Sequence, residues 1–574
     1  MTTSQAELPE VIQPAPARPQ RIPPGLRRIL PRPAPRVLIR LVPRILIGIA
    51  VLACGVALFI AYYGQAQTLQ VGPDGSSQAL QAWDMLHGNL LLRGWTLTDV
   101  TFYTTELPEY MLVELVRGLN SEVVHVSAAL TYALLVLFVA VVAKGNATGR
   151  EGVVRVLVAS GIVLAPPLGA LSATGVVLND PDHTGTQVPL LLIWLLLDRA
   201  RPRWWVPVAV TALLILVQIA DVTALYEGVV PLVIVCVVRM ARRGGSRGDQ
   251  WYALSLAAGA VFSAYAATQL LIAIRSAGGF VFSPPQATFT TAIELTQHFW
   301  LKVQDILVLF GANVFGQPIN QAIVPLLHLV GVALVVAAAA YAVRRFWHED
   351  SLMVQVLTVA FLSLLAAFMF GFRVGPWEAV GLLPIGAVLA GRLLAGPLIS
   401  TRLAVPFTAL FICFAVFLGQ DATAPGVVSE QQIMARWLAD HDLHYGLGEY
   451  WHASNITLYS DNNVQVRPIA TTGSDLVRTH WNSDYSWYDP NLHFANFIIW
   501  PQASPASLRS IYTAEGRPTK TYDFGIYLIM VWRQNLLAGP FVSAPAVKWN
   551  LLAAGLQPAV TRCTAGNCSP GGSA

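Results

Sequence analysis

Charged residues make up only 12% of the 574 residues of this chain, and the side chains able to do acid–base chemistry fall in a few short stretches. Asp74 stands in Val-Gly-Pro-Asp-Gly-Ser-Ser at 71–77, with Asp84 and His87 one helical face further on. A second run reads Asn-Asp-Pro-Asp-His and contains Asp180, Asp182 and His183; Asp221 and Glu227 flank a third short connection. A carboxylate at a membrane boundary can take a proton from an attacking hydroxyl, ligate a divalent cation, or stay solvated. It can also cap a helix: Asp74 could cap the one that follows it, and Asp180 or Asp182 the next apolar segment. Singly, each acid fits the structural role; as a set on one side of a membrane, they predict a site. Metal use stays open, a divalent cation being the one cofactor that such acids suggest.

The elements that must position these acids are apolar. Hydrophobic residues are 55% of the chain, against a charged share of about a quarter in soluble domains, which predicts a polytopic membrane protein. Runs of about 20 apolar residues can cross a bilayer. Eleven such spans are expected near 44–64, 122–143, 153–177, 185–199, 203–220, 223–240, 251–274, 321–343, 352–372, 376–395 and 402–419. Alternate connections carry Lys144 and Arg150, then Arg199, Arg201 and Arg203, then Arg239, Arg242, Arg243 and Arg247, then Arg344 and Arg345, then Arg392 and Arg402. By the positive-inside rule these are cytoplasmic, as is the amino terminus. The acids above therefore face outward, in a plasma-membrane protein.

Residues 1–43 form a Pro-rich basic tail, expected to be disordered and cytoplasmic, its arginines drawn to lipid headgroups. Residues 44–420 form the transmembrane domain, with long outer loops at 65–121 and 275–320. The first is aromatic-rich, with an amphipathic helix around Leu80, Trp83 and Leu86 and a turn at 103–108. Polarity rises after Gln420, and 421–574 is long enough for an α/β domain on the outer side. Helices are expected at 430–441, with Ile433, Trp437 and Leu438 on one face, and at 504–514. Strands are expected at 455–460, 464–469, 495–500 and 522–531. Cys563 and Cys568, on the exported side, are expected to close a disulfide, whereas Cys54, Cys236 and Cys413 lie in spans. No nucleotide-binding loop, nucleophile elbow or metalloprotease motif stands in a fitting context, and nothing points to nucleic acid.

An amino-terminal span, an outer loop in which an early Asp precedes Ala-Trp-Asp-Met-Leu-His-Gly-Asn (82–89), a second acidic loop and an outward carboxy-terminal domain together resemble the GT-C glycosyltransferases. The resemblance implies transfer of a sugar from a polyprenyl-phosphate carrier to an envelope glycan or glycoprotein acceptor. It implies Asp74 as the base or acceptor-binding acid and Asp180 or Asp182 as the second acid. Arg373 and Pro384, in Phe-Arg-Val-Gly-Pro-Trp-Glu…Leu-Leu-Pro, are similar to the family's late Arg-Tyr-Leu-x-Pro pattern, so Arg373, or another outward base such as Lys302, would hold the carrier phosphate. Many members carry two adjacent acids in the first loop; here Gly75 follows Asp74. Tyr450 and Trp451, in Tyr-Gly-Leu-Gly-Glu-Tyr-Trp-His, suit either sugar stacking or core packing. Asp84, His87, His183, Asp221 and Glu227 complete the candidate substrate-binding set.

Two other classes compete: a lipid-linked sugar transporter or flippase, which calls for internal repeats and mid-span charges not seen in this sequence, and a non-catalytic envelope-assembly or glycan-binding protein on the same scaffold. Eleven spans from an inside amino terminus place residue 574 outside. A reporter enzyme fused after Ala574 is therefore expected to be active outside the cytoplasm, and a cytoplasmic signal would show a span split or merged between 185 and 240.

Overall fold

The computed structural model describes residues 36–538 apart from 170, 243–245, 284–287, 320–321, 372–374, 396–398, 400–403 and 473–474, together with 561–564 and 567–570. Arg373 and most of the basic tail lie outside the described residues. The described residues fall into two units, one ending at Cys54 and the other beginning at Gly55. The first contributes the opening part of helix α1 (Arg36–Ala66), where Ile45, Leu46, Ile47 and Leu52 are exposed, as a lipid-facing helix requires.

The second unit is mostly helical. After α1 come α2 (Pro73–Leu86), α3 (Glu106–Arg117), α4 (Glu122–Lys144), α5 (Gly149–Val163), α6 (Ala173–Val177), α7 (Thr184–Arg199), α8 (Trp205–Ala220) and α9 (Val230–Ala241). Then follow α10 (Arg247–Ser276), α11 (Ala292–Leu309), α12 (Ile323–Arg345), α13 (Leu352–Phe370), α14 (Leu382–Leu394) and α15 (Ala404–Asp421). Seven helical segments among the described residues are long and apolar enough to cross a membrane: those beginning at Ile45, Glu122, Arg247, Ile323, Leu352, Pro376 and Ala404. The remaining four expected spans correspond to α5, α7, α8 and α9, helices of 12 to 16 residues. The span expected at 153–177 is broken, because Pro166 and Pro167 cannot continue the ladder and α5 stops at Val163. Two helices were not foreseen. α3 follows the expected turn, which is present at 103–105, and α11 lies inside the loop 275–320, started by a capping box between Thr291 and Glu294.

The basic loops do share an end of the bundle. Arg199 donates to the Gly145 carbonyl at 2.7 Å, and Arg392 forks onto Asp198 at 2.8 and 2.5 Å while reaching the Val142 carbonyl at 2.8 Å. Arg239 and Arg242 likewise bond to carbonyls of Asp350 and Phe346. Such forked guanidinium–carboxylate pairs fix geometry as well as charge.

The carboxy-terminal region continues with α16 (Glu430–Asp440), β2 (Tyr445–Glu449), α17 (Tyr450–Tyr459), β3 (Gln465–Thr472), β4 (Asp475–Arg478), β5 (Ser483–Asp484), β6 (Phe497–Pro501), α18 (Pro505–Glu515), β7 (Lys520–Phe524) and β8 (Tyr527–Val531); β1 (Trp95–Thr96) lies in the first long loop. Six strands form one sheet in the order β4-β3-β2-β6-β8-β7, with β3-β2-β6 parallel and the outer pairs antiparallel. Side chains alternate faces along β6: Phe497 and Ile499 pack with Met434, Leu438 and Ile456 of α16 and α17, while Ile498 and Trp500 face the other way. That second face shares one core with Leu80, Met85, Trp95 and Leu107 of the first long loop. Residues 455–460, expected as a strand, belong mostly to α17, the crossover helix that parallel β2 and β3 require. Ile433 is exposed; the inward face of α16 is Met434, Ala435 and Leu438. The run 522–531 is a hairpin, turned at Gly525 with φ +64°. Strands β9 (Thr561–Thr564) and β10 (Asn567–Pro570) pair antiparallel with Cys563 opposite Cys568; their side chains lie outside the described residues.

Arg392→Ala should destabilise the bundle by about 3 kcal/mol, because Asp198 would lose its forked partner. The loss stays near the low end for such pairs, since Arg199 remains 3.5 Å from Asp198. Melting of the detergent-purified protein several degrees lower checks this; an unchanged melt would mean that Arg199 alone holds the carboxylate.

Candidate active site

Helix α2 begins at Gly72, not at Asp74: Gly72 is the N-cap, Pro73 opens the first turn, and Asp74 sits within it. The capping role expected for Asp74 is thus taken by backbone, and its carboxyl is turned to other partners. Tyr450 donates its hydroxyl to Asp74 Oδ1, and Asn482 Nδ2 donates to the same oxygen at 3.3 Å and to the Tyr450 hydroxyl at 3.1 Å. Gln81 Nε2 holds Asn482 through its Oδ1 at 3.0 Å. Helix α17 is docked on the start of α2: Asn455 donates to the Val71 carbonyl at 2.9 Å, Tyr459 accepts from the Val71 N–H at 3.0 Å, and Ser77 meets Ser454 at 3.0 Å. Two residue pairs of β1 and β5, Trp95 with Asp484 and Thr96 with Ser483, pin the loop carrying Trp481 and Asn482.

The glycines on either side of Asp74 let the second acidic loop close in. A Cβ at Gly75 would lie 2.9 Å from Asp180 Cβ and 2.8 Å from Val124 Cγ1, and one at Gly72 would lie 2.5 Å from Asn179 Nδ2. With no side chain at 75, Asp180 and Val124 occupy the space that a Cβ there would need. Asn179 Nδ2 braces Asp180 Oδ2 at 2.8 Å, and Gln78, one turn beyond Asp74, donates to Asp182 Oδ1. Asp74, Asp180 and Asp182 therefore converge, Asp74 and Asp182 keeping some access to solvent.

Burial and mutual repulsion set the charges here. Burial raises Asp74 above the ordinary carboxylate range, against hydrogen bonds from Tyr450, Trp481 and Asn482 that favour its ionised form. Burial, with the Asp74 charge, pushes Asp180 up to about 6, and burial with both neighbours pushes Asp182 well above the usual range. A carboxylate near 6 is close to the optimum for taking a proton at neutral pH. His183 belongs to an ion pair behind the triad: its Nδ1 is 2.7 Å from Asp221 Oδ2. Burial opposes the imidazolium, but Asp221, helped by Glu378 and Asp182, outweighs it and holds His183 at about 10. Asp221, the C-cap of α8, is in turn kept low despite burial by His183 and by the Thr223 N–H at 2.8 Å.

Other candidates lie apart or act structurally. Asp84 accepts from Asn89 Nδ2 at 2.6 Å and Trp95 Nε1 at 2.8 Å, and His87 bonds the Trp83 carbonyl at 2.7 Å; both secure the turn after α2. Lys302 is buried and donates to the carbonyls of Phe368 at 2.6 Å and Gly371 at 2.5 Å, closing the carboxyl end of α13. Glu227 is buried in a one-turn π-helical stretch (Leu225–Val229), against Gly381, where a Cβ would come within 2.5 Å of its Oε2. Trp451 is exposed beside Tyr450, ring centroids 5.4 Å apart. Among the described residues, no three Asp, Glu, His or Cys side chains are arranged to hold a metal ion. Sequence reading passed over Gln78, Gln81, Trp481, Asn482 and Glu106. The two glutamines were findable, four and seven residues after Asp74 on one helical face; Asn482 carries no local signal.

Between Asp180's unfolded value of about 3.9 and its folded value of about 6, the folded chain binds the extra proton, so this group's contribution to stability falls as pH rises through that window. The wild type is expected to lose up to about 1.4 kcal/mol per pH unit there from Asp180. Asp180→Asn should flatten that part of a melting-temperature profile from pH 4 to 6; an identical slope in the variant would remove Asp180 from the buried set.

No protein-family model matches the chain, and no curated protein matches it by sequence. Solved structures do. ArnT from Cupriavidus metallidurans bound to undecaprenyl phosphate superposes with a TM-score of 0.51 over 84% of this chain and 98% of that one, at 12% identity. The apo form of that protein matches with a TM-score of 0.42, and arabinofuranosyltransferase AftD from mycobacteria with 0.42 over 84% of this chain and 40% of its own. The bound-state match spans nearly all of that protein and covers both the helices and the terminal sheet region of this one: this chain has the fold of ArnT, the fold expected from its resemblance to the GT-C glycosyltransferases.

Proposed function

We propose that the protein transfers a sugar from a polyprenyl-phosphate carrier to a hydroxyl of a cell-envelope glycan or glycoprotein on the outer face of the membrane. The observation that carries this reading is the convergence of Asp74, Asp180 and Asp182 beneath Tyr450 and Asn482. Support for the carrier comes from the undecaprenyl phosphate bound to the solved structure of the same fold. In the reaction, the acceptor oxygen attacks the anomeric carbon, the carbon–oxygen bond to the phosphate breaks, and polyprenyl phosphate leaves with the bonding electrons. Asp74 takes the acceptor proton; Asp180 carries negative charge beside it, and Asp182, held high, keeps its own proton throughout. The His183–Asp221 pair holds the end of the second loop in place from behind.

The carrier phosphate falls to Arg373 in this reading, because Lys302 spends its protons on the carbonyls that lead into 372–374. Trp451 and Trp481, partly exposed next to Tyr450 and Asp74, supply faces on which a sugar ring stacks.

Asp74→Asn is expected to lower transfer by roughly 10²–10⁴ while insertion and melting stay near wild type, because the amide keeps the size but cannot take the proton. The assay uses purified protein, a panel of polyprenyl-phosphate pentoses and hexoses, and an envelope glycan extract. Retained transfer in Asp74→Asn would move the base to Asp180; a wild type that transfers from no donor yet binds a partner or a glycan through residues 421–574 would replace the enzyme with a scaffold.

A further inference from the structure

A cavity of about 230 Å³ opens on the side of the bundle between α3, α4, α7 and α8, away from Asp74. Its apolar wall is Leu134, Val188, Leu213 and Leu216, and Leu134 and Leu216 are exposed where the bundle meets lipid. Its floor is polar and consists of hydrogen-bond acceptors. Glu109 Oε2 accepts from Thr131 at 2.6 Å, whereas Glu109 Oε1 is buried and has no partner among the described residues. Pro189, inside α7, has no N–H, so the carbonyl of Gly185 four residues earlier lacks its usual helical donor. The threonine protons are already used: Thr104 donates to the Leu216 carbonyl at 2.5 Å, Thr105 to Glu106, and Thr131 to Glu109. No Lys or Arg lines the cavity.

An unsatisfied buried acceptor is costly, so two of them facing one cavity are complemented by a ligand rich in donors. A phosphate has none to give and meets no cation here. A neutral polyol has several, and a site of this size with few polar groups set among apolar ones takes one ring and the start of a chain. We propose that this lateral cavity binds the hydroxylated, uncharged head group of a membrane-embedded molecule, with Glu109 and the Gly185 carbonyl accepting its hydroxyl protons and its chain passing between Leu134 and Leu216. The cavity wall abuts a further buried carboxyl: a Cβ at Gly185 would lie 2.6 Å from Glu106 Oε1. This site goes beyond the transfer reaction, and its occupancy needs no turnover.

The test uses the full chain in phosphatidylcholine nanodiscs with dodecyl β-glucoside carrying a diazirine on its chain. Irradiation should place adducts on Leu134, Val188 and Leu213 about tenfold more often than with the matching dodecyl phosphate, the worth of one hydrogen bond. Glu109→Leu should bring the glucoside down to the phosphate level at unchanged melting temperature. Val188→Trp, which fills the cavity from the lipid side, should do the same and serves if Glu109→Leu fails to fold. Equal labelling by both head groups, stronger labelling by dodecylammonium, or a glucoside preference that survives in folded variants would overturn the proposal. Sugar transfer lost in Asp74→Asn with labelling intact separates this site from the transfer reaction.

Discussion

The docking of α17 onto the first turn of α2 is the constraint on which the rest depends. Asp74 lies 376 residues before Tyr450, yet one phenolic hydroxyl and one amide fix its carboxyl. Asn455 donates to the Val71 carbonyl and Tyr459 accepts from the Val71 N–H beneath it, Ser77 donates to Ser454, and a shared apolar core seals the rest. A polar network satisfied from both sides specifies one arrangement, because any slip leaves several buried groups without partners. The terminal domain is thus a structural part of the acid site, and its removal would expose a loop built to be covered.

Around that contact, electrostatics divides the titratable groups into two kinds. Asp180 and Asp182 are crowded, and burial with mutual repulsion outweighs the pull of His183 on Asp182, so they bind protons readily. Asp221 and His183 neutralise each other, and their charges are fixed across the neutral range. Chemistry belongs to the first kind, since a group must change protonation to move a proton, and positioning belongs to the second. Two glycines make the arrangement sterically possible, because any side chain at 72 or 75 would push the second acidic loop away from Asp74.

At the opposite end of the bundle, arginines serve as ties. Arg199, Arg239, Arg242 and Arg392 reach carbonyls or Asp198 across neighbouring helices. A residue class that reads as a topology signal also holds helices too short to be held by length alone, such as α7 and α9.

Much of this was legible in the chain itself. Apolar runs and alternating basic loops locate the helices, since crossing a bilayer demands about 20 apolar residues and leaves little room for other patterns. The acids at 74, 180, 182 and 221 stood out because charge is scarce around them, and the amphipathic helix after Asp74 showed its period. Other features were hidden for physical reasons. The break at Pro166 was masked by apolar composition on both sides, and α17 read as a strand because Ile456, Thr457 and Leu458 suit either state until β2 and β3 pair in parallel and need a crossover. Lys302 looked like an outward base, and only the fold shows its ammonium closing a helix end. Local sequence determined which segments are helices, where lipid meets them and which acids are unusual; which acids meet, and that Tyr450 and Asn482 hold the first of them, was decided by contacts across hundreds of residues, which no local spacing encodes.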